Sequence, residues 1–191
     1  NGDFAGKELR EILTAEMMGT NCEKFDKFPI LTKLIDAKDN LSLQVHPSDE
    51  TADKAAGEEG KTESWYIADC DEGAELIYGF KADITKEDFI KSVNNGTFID
   101  KVNRVKVKKG ECYHIEAGTL HAICKGILLA EVQQNCNTTY RVYDYGRLVD
   151  GKPRELHVEK ALDVTDTVPP TRSGDADGEK VALDGAVSQD L

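Results

Sequence analysis

Four side chains able to ligate a metal fall at spacings that a β-sheet can use. In Leu41-Ser42-Leu43-Gln44-Val45-His46 apolar and polar residues alternate strictly. On a strand this puts Leu41, Leu43 and Val45 on one face and Ser42, Gln44 and His46 on the other. Gln44 and His46 therefore present their donor atoms to the same side. Glu63 follows in Gly60-Lys61-Thr62-Glu63-Ser64-Trp65-Tyr66, with Lys61 on its own face, and His121 lies in Gly118-Thr119-Leu120-His121-Ala122-Ile123. Two imidazole nitrogens and one carboxylate suit zinc, and equally a non-haem iron facial triad. Either histidine taken alone reads as readily as a hydrogen-bonded core residue. Arg141 shares a strand face with Thr139 and Tyr143.

These residues need a sheet to bring them together. Leu9, Ile12, Leu13 and Met17 recur at helical spacing and predict a helix over 7–18. Ile30, Leu31 and Leu34 form an apolar stretch, and Pro47 ends the strand at 41–46. Ser48 is the expected cap of a short acidic helix near 49–57. Residues 62–68 and 74–79 read as strands. Thr85-Lys86-Glu87-Asp88 opens a helix with Phe89, Ile90 and Val93 as its apolar stripe and Gly96 as its stop. From 102 to 145 strand signals dominate, punctuated by Gly110, Gly118, Gly126 and Asn135-Cys136-Asn137. Short strands at roughly 8–12-residue spacing indicate a sandwich or barrel. A helical pattern returns at 156–164.

Composition excludes several classes. The 191 residues carry 24 Lys+Arg against 36 Asp+Glu, a net charge of −12. That balance opposes nucleic acid and anionic membrane surfaces as partners. No apolar run approaches the ~20 residues of a membrane span, and no signal-peptide pattern opens the chain. The five cysteines are widely spaced with no C-x-x-C pair, which favours a reducing, cytoplasmic setting. Residues 165–191 hold six acids, two bases and no aromatic residue, the composition of a linker or tail. The start at Asn1 rather than Met reads as a trimmed core.

Gly110-(five residues)-Glu116-Ala117-Gly118-(two residues)-His121 resembles the second motif of the cupin superfamily, and Gln44-Val45-His46 the first. Glu116 stands where proline is usual, which a turn tolerates. Together with Leu41–Pro47, Gly60–Ile67 and Gly118–Ile123, the segment Gln133-Gln134-Asn135-Cys136-Asn137-Thr138-Thr139-Tyr140-Arg141-Val142-Tyr143-Asp144-Tyr145 resembles the type I mannose-6-phosphate isomerases in their short bacterial form, over roughly residues 1–168. The resemblance implies a mainly β fold, a cupin (jelly-roll type β-barrel) with a few helices, over 1–164. It implies that 165–191 is an acidic linker toward a smaller C-terminal β-domain, and that N-terminal strands usual in the family are missing.

The resemblance further implies one Zn2+ per chain on His46, Glu63 and His121, with Gln44 as fourth ligand. Arg141 and Lys61 become the catalytic pair, and Ser42, Lys61 and Arg141 the substrate-binding residues. The implied reaction interconverts mannose 6-phosphate and fructose 6-phosphate by C1–C2 proton transfer through an enediol(ate). Asn137 replaces the Asp that many members carry four residues before the Arg, so the proton-accepting group stays unassigned. Lys61 and Arg141 beside a cation suit a phosphosugar despite the net charge. Two other readings share the ligands: a non-catalytic sugar-phosphate-binding cupin, and an iron-dependent cupin dioxygenase, against which Gln44 and the Lys61/Arg141 pair speak. Elsewhere, His114 and His157 read as structural or exposed, Trp65 as core, and Lys106, Lys108 and Lys109 as a solvated strand face. Tyr140, Tyr143 and Tyr145 fit sugar-pocket or packing roles alike, and the cysteines read as small hydrophobes.

Overall fold

Burial alternates with period two along the strands Ile30–Ala37, Cys112–Ile115, Ile127–Gln134 and Tyr140–Tyr143 of the computed structural model, which describes residues 2–22, 24–170, 180–183 and 186–189. Two single-turn helices, α1 (Leu9–Ile12) and α2 (Ala15–Met18), precede the sheets. The strands β1 (Ile30–Ala37), β2 (Leu43–Val45), β3 (Glu63–Cys70) and β4 (Glu75–Phe80) follow, then helix α3 (Lys86–Asn94). Next come β5 (Val102–Lys106), β6 (Cys112–Ile115), β7 (His121–Ile123), β8 (Ile127–Gln134) and β9 (Tyr140–Tyr143). The short pair β10 (Leu148–Val149) and β11 (Lys152–Pro153) leads to α4 (Val158–Val164). A separate antiparallel pair, β12 (Lys180–Leu183) and β13 (Ala186–Gln189), closes the described chain.

Two antiparallel sheets carry the site. One has the order β1-β8-β3-β6, the other β5-β4-β7-β2-β9. Their facing sides enclose a core of Trp65, Ile67, Leu76, Tyr78, Tyr113, Ile115, Ile123, Ile127 and Leu129. The outer side of the five-stranded sheet buries a second core, in which Leu43, Val45, Ile77, Ala122 and Val142 meet Phe80, Phe89, Phe98 and Ala161. The neighbours Leu76 and Ile77 of β4 thus enter different cores, as the pleat requires. Phe89 of α3 packs edge-on against Phe98, ring centroids 4.8 Å apart, so α3 and α4 cover the sheet side turned away from the barrel interior.

The helices differ most from expectation. The helix expected over 7–18 breaks at Leu13–Thr14, because the Thr14 side chain accepts from the Met17 amide and starts a new turn. Neither piece buries a residue, so no packing holds a continuous helix together. Around 49–57 the Ser48 hydroxyl accepts from the amides of Glu50 and Thr51, yet the only helical turn is a 3-10 turn at Lys54–Ala56. Asp53 caps that turn through the Ala56 amide. The capping of α3 by Thr85, which accepts from the Asp88 amide, matches expectation. The β10–β11 hairpin turns through Asp150 (φ 52°) and Gly151 (φ 76°), the doubly positive geometry that matches strand twist.

Of the acidic segment, residues 165–170 run along the barrel: the Asp166 amide donates to Gly118 O and the Ile84 amide to Thr167 O. Within the stretch expected as linker, 180–183 and 186–189 instead pair as antiparallel strands, and 171–179, 184–185 and 190–191 lie outside the described residues. Among the described residues no helix is long and apolar enough to cross a membrane.

Candidate metal centre

Gln44 of β2 stands opposite His121 of β7 on one side and Arg141 of β9 on the other. Directly opposed residues share a face, so these three side chains form a row across the five-stranded sheet. Glu63 enters from the start of β3 in the facing sheet, and His46 lies just beyond β2. A turn ties the two histidine segments together, with the Gly118 amide donating to His46 O at 2.9 Å. Gly118 has φ +90°, and a Cβ there would meet the Asp166 carboxylate at 2.9 Å, so the turn requires glycine.

The histidines are oriented by backbone carbonyls. His46 Nδ1 lies 2.9 Å from Thr138 O and His121 Nδ1 2.8 Å from Thr119 O. A carbonyl only accepts, so each Nδ1 carries the proton and each neutral ring turns a bare Nε2 inward. Burial favours that neutral form: it lowers the His46 pKa to about 4 and lowers that of His121 as well. His46 Nε2 lies 3.6 Å from one Glu63 oxygen and His121 Nε2 3.3 Å from the other. Burial alone would raise the Glu63 carboxyl, but its pKa is lowered instead, and with both rings neutral the Lys61 ammonium is the charge that keeps it ionised.

The outcome is a cluster of acceptors. His46 Nε2 and both Glu63 oxygens are buried with no hydrogen-bond partner among the described residues. Burying such groups unpaired is costly. Lys61 Nζ, 3.1 Å from Glu63 Oε2, supplies one charge. A cation shared by all three donors would satisfy the rest. Donor atoms 2.0–2.2 Å from a tetrahedral ion sit roughly 3.3–3.5 Å apart, close to the spacings found. The three ligand atoms lie within 4.8 Å of one another. The donor set therefore fits a divalent metal.

Residues 1–89 match the family model for the phosphomannose isomerase type I catalytic domain. The chain is 47% identical over 166 residues to the mannose-6-phosphate isomerase ManA of Bacillus subtilis (strain 168), covering 86% of this chain and 52% of that protein. The crystal structure of the mannose 6-phosphate isomerase from Bacillus subtilis superposes with a TM-score of 0.85 at 43% identity, over 98% of this chain and 59% of that one. The chain is thus similar, over most of its own length, to mannose-6-phosphate isomerases. Its fold is a mainly β, cupin-type barrel, as in that Bacillus subtilis enzyme. A zinc-bound mannose 6-phosphate isomerase shares the fold at 14% identity and a TM-score of 0.61, over 89% of this chain and 62% of that one. The chain spans about half the length of the curated relatives it matches.

Within this fold each candidate site residue singled out from the sequence can be placed. Ser42 is buried, its hydroxyl 3.5 Å from Gln44 Oε1. Gln44 turns its amide nitrogen to His121 Nε2 at 3.4 Å. Exchanging its amide N and O, which are assigned from the hydrogen-bond pattern, would present the oxygen instead. Lys61 is only 5% exposed, and its ion pair with Glu63 accounts for that burial. Arg141 is half-buried. Its Nη1 donates to Glu155 O at 2.9 Å, and its Nε is buried without a partner among the described residues. Burial lowers its pKa. Trp65 packs in the core as expected, its edge toward the His121 ring at 5.5 Å.

Other residues near the site carried little signal in the sequence. Trp65 Nε1 donates to Glu131 Oε2 at 3.1 Å, and Lys33 Nζ donates to Glu131 Oε1 at 2.8 Å and to Gln133. Glu131 and Gln133 alternate in register with buried Ile127 and Leu129, which was the available clue. His157, expected at the surface, occupies the N-cap position of α4, and its Nδ1 accepts from the Arg141 amide at 3.3 Å. His114 lies on the outer side of its sheet, its Nδ1 3.0 Å from the Ser64 hydroxyl.

Proposed function

We propose that this chain is an aldose–ketose isomerase that interconverts mannose 6-phosphate and fructose 6-phosphate with one zinc ion. His46, Glu63 and His121 hold the ion, with Gln44 as fourth ligand. The observation that carries the reading is the buried trio itself: two neutral imidazoles turn bare Nε2 atoms in beside an ionised carboxylate, acceptors gathered with no donor between them. The similarity to mannose-6-phosphate isomerases and the zinc-bound structural relative support the choice of substrate and ion.

When bound, the ion supplies Lewis acidity that stabilises negative charge developing on the sugar oxygens. The chain's own residues do the rest. Proton transfer between C1 and C2 passes through an enediol(ate), whose charge falls near the Lys61 ammonium and the Arg141 guanidinium. Both are held in place before the substrate arrives, so little reorganisation is needed. Lys61 also keeps Glu63 ionised, which ties the cationic wall to the metal centre. Ser42 offers a hydroxyl to the substrate from the same sheet face as Gln44. We read 1–164 as the catalytic unit and 165–191 as the linker beyond it. The net charge of −12 is compatible with a small anion drawn by local cations, and the widely spaced cysteines favour a reducing, cytoplasmic setting.

A coupled assay of mannose 6-phosphate conversion tests this. Turnover lost on chelation and restored by zinc is the expected result. Intact metal binding without turnover would replace the isomerase by a sugar-phosphate-binding cupin.

A further inference from the structure

Arg141 is stitched to the segment that follows β11. Its Nη1 donates to Glu155 O at 2.9 Å, its amide to His157 Nδ1 at 3.3 Å, and its carbonyl accepts the His157 amide at 2.7 Å. The residue before Glu155 is Arg154, whose guanidinium grips Asp144 in a fork: Nε to Oδ2 at 2.7 Å and Nη2 to Oδ1 at 2.6 Å. Asp144 follows Arg141 by three residues, and its side chain is 5% exposed. Arg147 donates to the same carboxylate through Nε at 3.2 Å and Nη2 at 2.5 Å, and its Nη1 reaches Asn40 O at 2.6 Å. One buried carboxylate thus closes the loop 144–154 at its base.

A planar fork fixes direction as well as distance, which an ammonium does not. Holding Arg154 holds the next carbonyl, Glu155 O, and that carbonyl holds Nη1 of Arg141. Nε of Arg141 is left buried and unpartnered among the described residues. We propose that the Asp144–Arg154 pair positions Arg141, setting the direction in which its unpartnered Nε edge meets the anionic oxygens of the sugar phosphate. The catalytic half of this inference rests on the isomerase reading above. Asp144 and Arg154 are positioning residues that act through Arg141.

The test uses the full zinc-loaded chain carrying Arg154→Lys, which keeps the charge and removes the fork. Asp144→Asn is the second variant should the first fail to fold, and it is expected to act the same way. Three readouts are needed: kcat and KM, thermal unfolding, and the Nε–H nuclear magnetic resonance signal of Arg141, assigned by its loss in Arg141→Lys. Arg154→Lys is expected to lower kcat roughly 10- to 100-fold, the scale of a small misplacement at a reacting centre, with KM much less affected. The Arg141 Nε signal shifts in the variant, and in an Arg141→Lys background the second substitution has no further effect on kcat. An unchanged Nε signal, or the same fold loss in both backgrounds, overturns the inference. If the unsubstituted chain shows no isomerase turnover, the isomerase reading falls by itself, and the Nε signal alone decides whether the pair positions Arg141.

Discussion

His46 and His121 stand with ring centroids 4.8 Å apart, each donating Nδ1–H to a backbone carbonyl and each turning its Nε2 toward the same carboxylate. The two histidines come from different β-segments, yet the Gly118 amide bonds the carbonyl of His46 itself. Paired orientation of this kind fixes both tautomers before any ion arrives.

Glu63→Gln separates the metal claim from simple packing. The amide keeps the shape of Glu63 but removes the charge shared by both imidazoles and Lys61. Zinc affinity is expected to fall by more than roughly 100-fold, beyond the usual effect of a supporting residue. Competition against a chromophoric chelator measures this. Unchanged affinity would remove Glu63 from the ligand set.

Lys61→Ala addresses catalysis with the metal retained. The ammonium is buried against Glu63, so its loss leaves the three ligand atoms in place. Zinc stoichiometry should persist while kcat falls about 100-fold or more, as when one preorganised charge is removed from a site of developing anion. Elemental analysis and the coupled assay on the same preparation check both halves.

Asp144 sets an acid dependence of stability. Burial raises its carboxyl pKa, but the Arg154 and Arg147 guanidinium groups outweigh burial, so the folded value lies below the unfolded one. The unfolded chain then binds more protons at acid pH, and stability falls with falling pH. Asp144 contributes its full share above the ordinary carboxylate value near 3.9 and loses it as pH drops through the lowered folded value. Asp144→Asn is expected to cost about 2–3 kcal/mol at pH 7, the low end for breaking a buried pair because its arginine partners are about one-third exposed. Denaturant melts of both proteins should converge toward pH 2.

Gly118→Ala probes the turn that joins the histidine segments. The new Cβ meets a φ of +90° and the Asp166 carboxylate together. A loss of about 2 kcal/mol is expected from the strained backbone, and zinc affinity should drop with it, because the same turn holds His46 and His121. Denaturation and metal titration read the two effects.

The barrel and the gathering of His46, Glu63 and His121 were legible because they depend on period two. Alternation in 41–46 marks the inward face of β2, and Glu63 and His121 occupy inward positions on their own strands. The short helices were less legible: Thr14 and Asp53 cap locally, and no buried residue extends α2. The Asp144 clamp was hidden for another reason. Its partners Arg147 and Arg154 lie on a hairpin whose position depends on tertiary closure, and a charged residue in a loop reads as solvated until the loop is placed. Lys33 and Glu131 meet across adjacent strands 98 residues apart in sequence, which only the sheet order reveals.

The central claim is that turnover belongs to one zinc ion on His46, Glu63 and His121. Titrating zinc into the chelated chain while following mannose 6-phosphate conversion tests it most directly. Turnover is expected to rise linearly and level off at one ion per chain, with no such rise in Glu63→Gln. Full turnover in the metal-free chain, or an unchanged titration in Glu63→Gln, would contradict it.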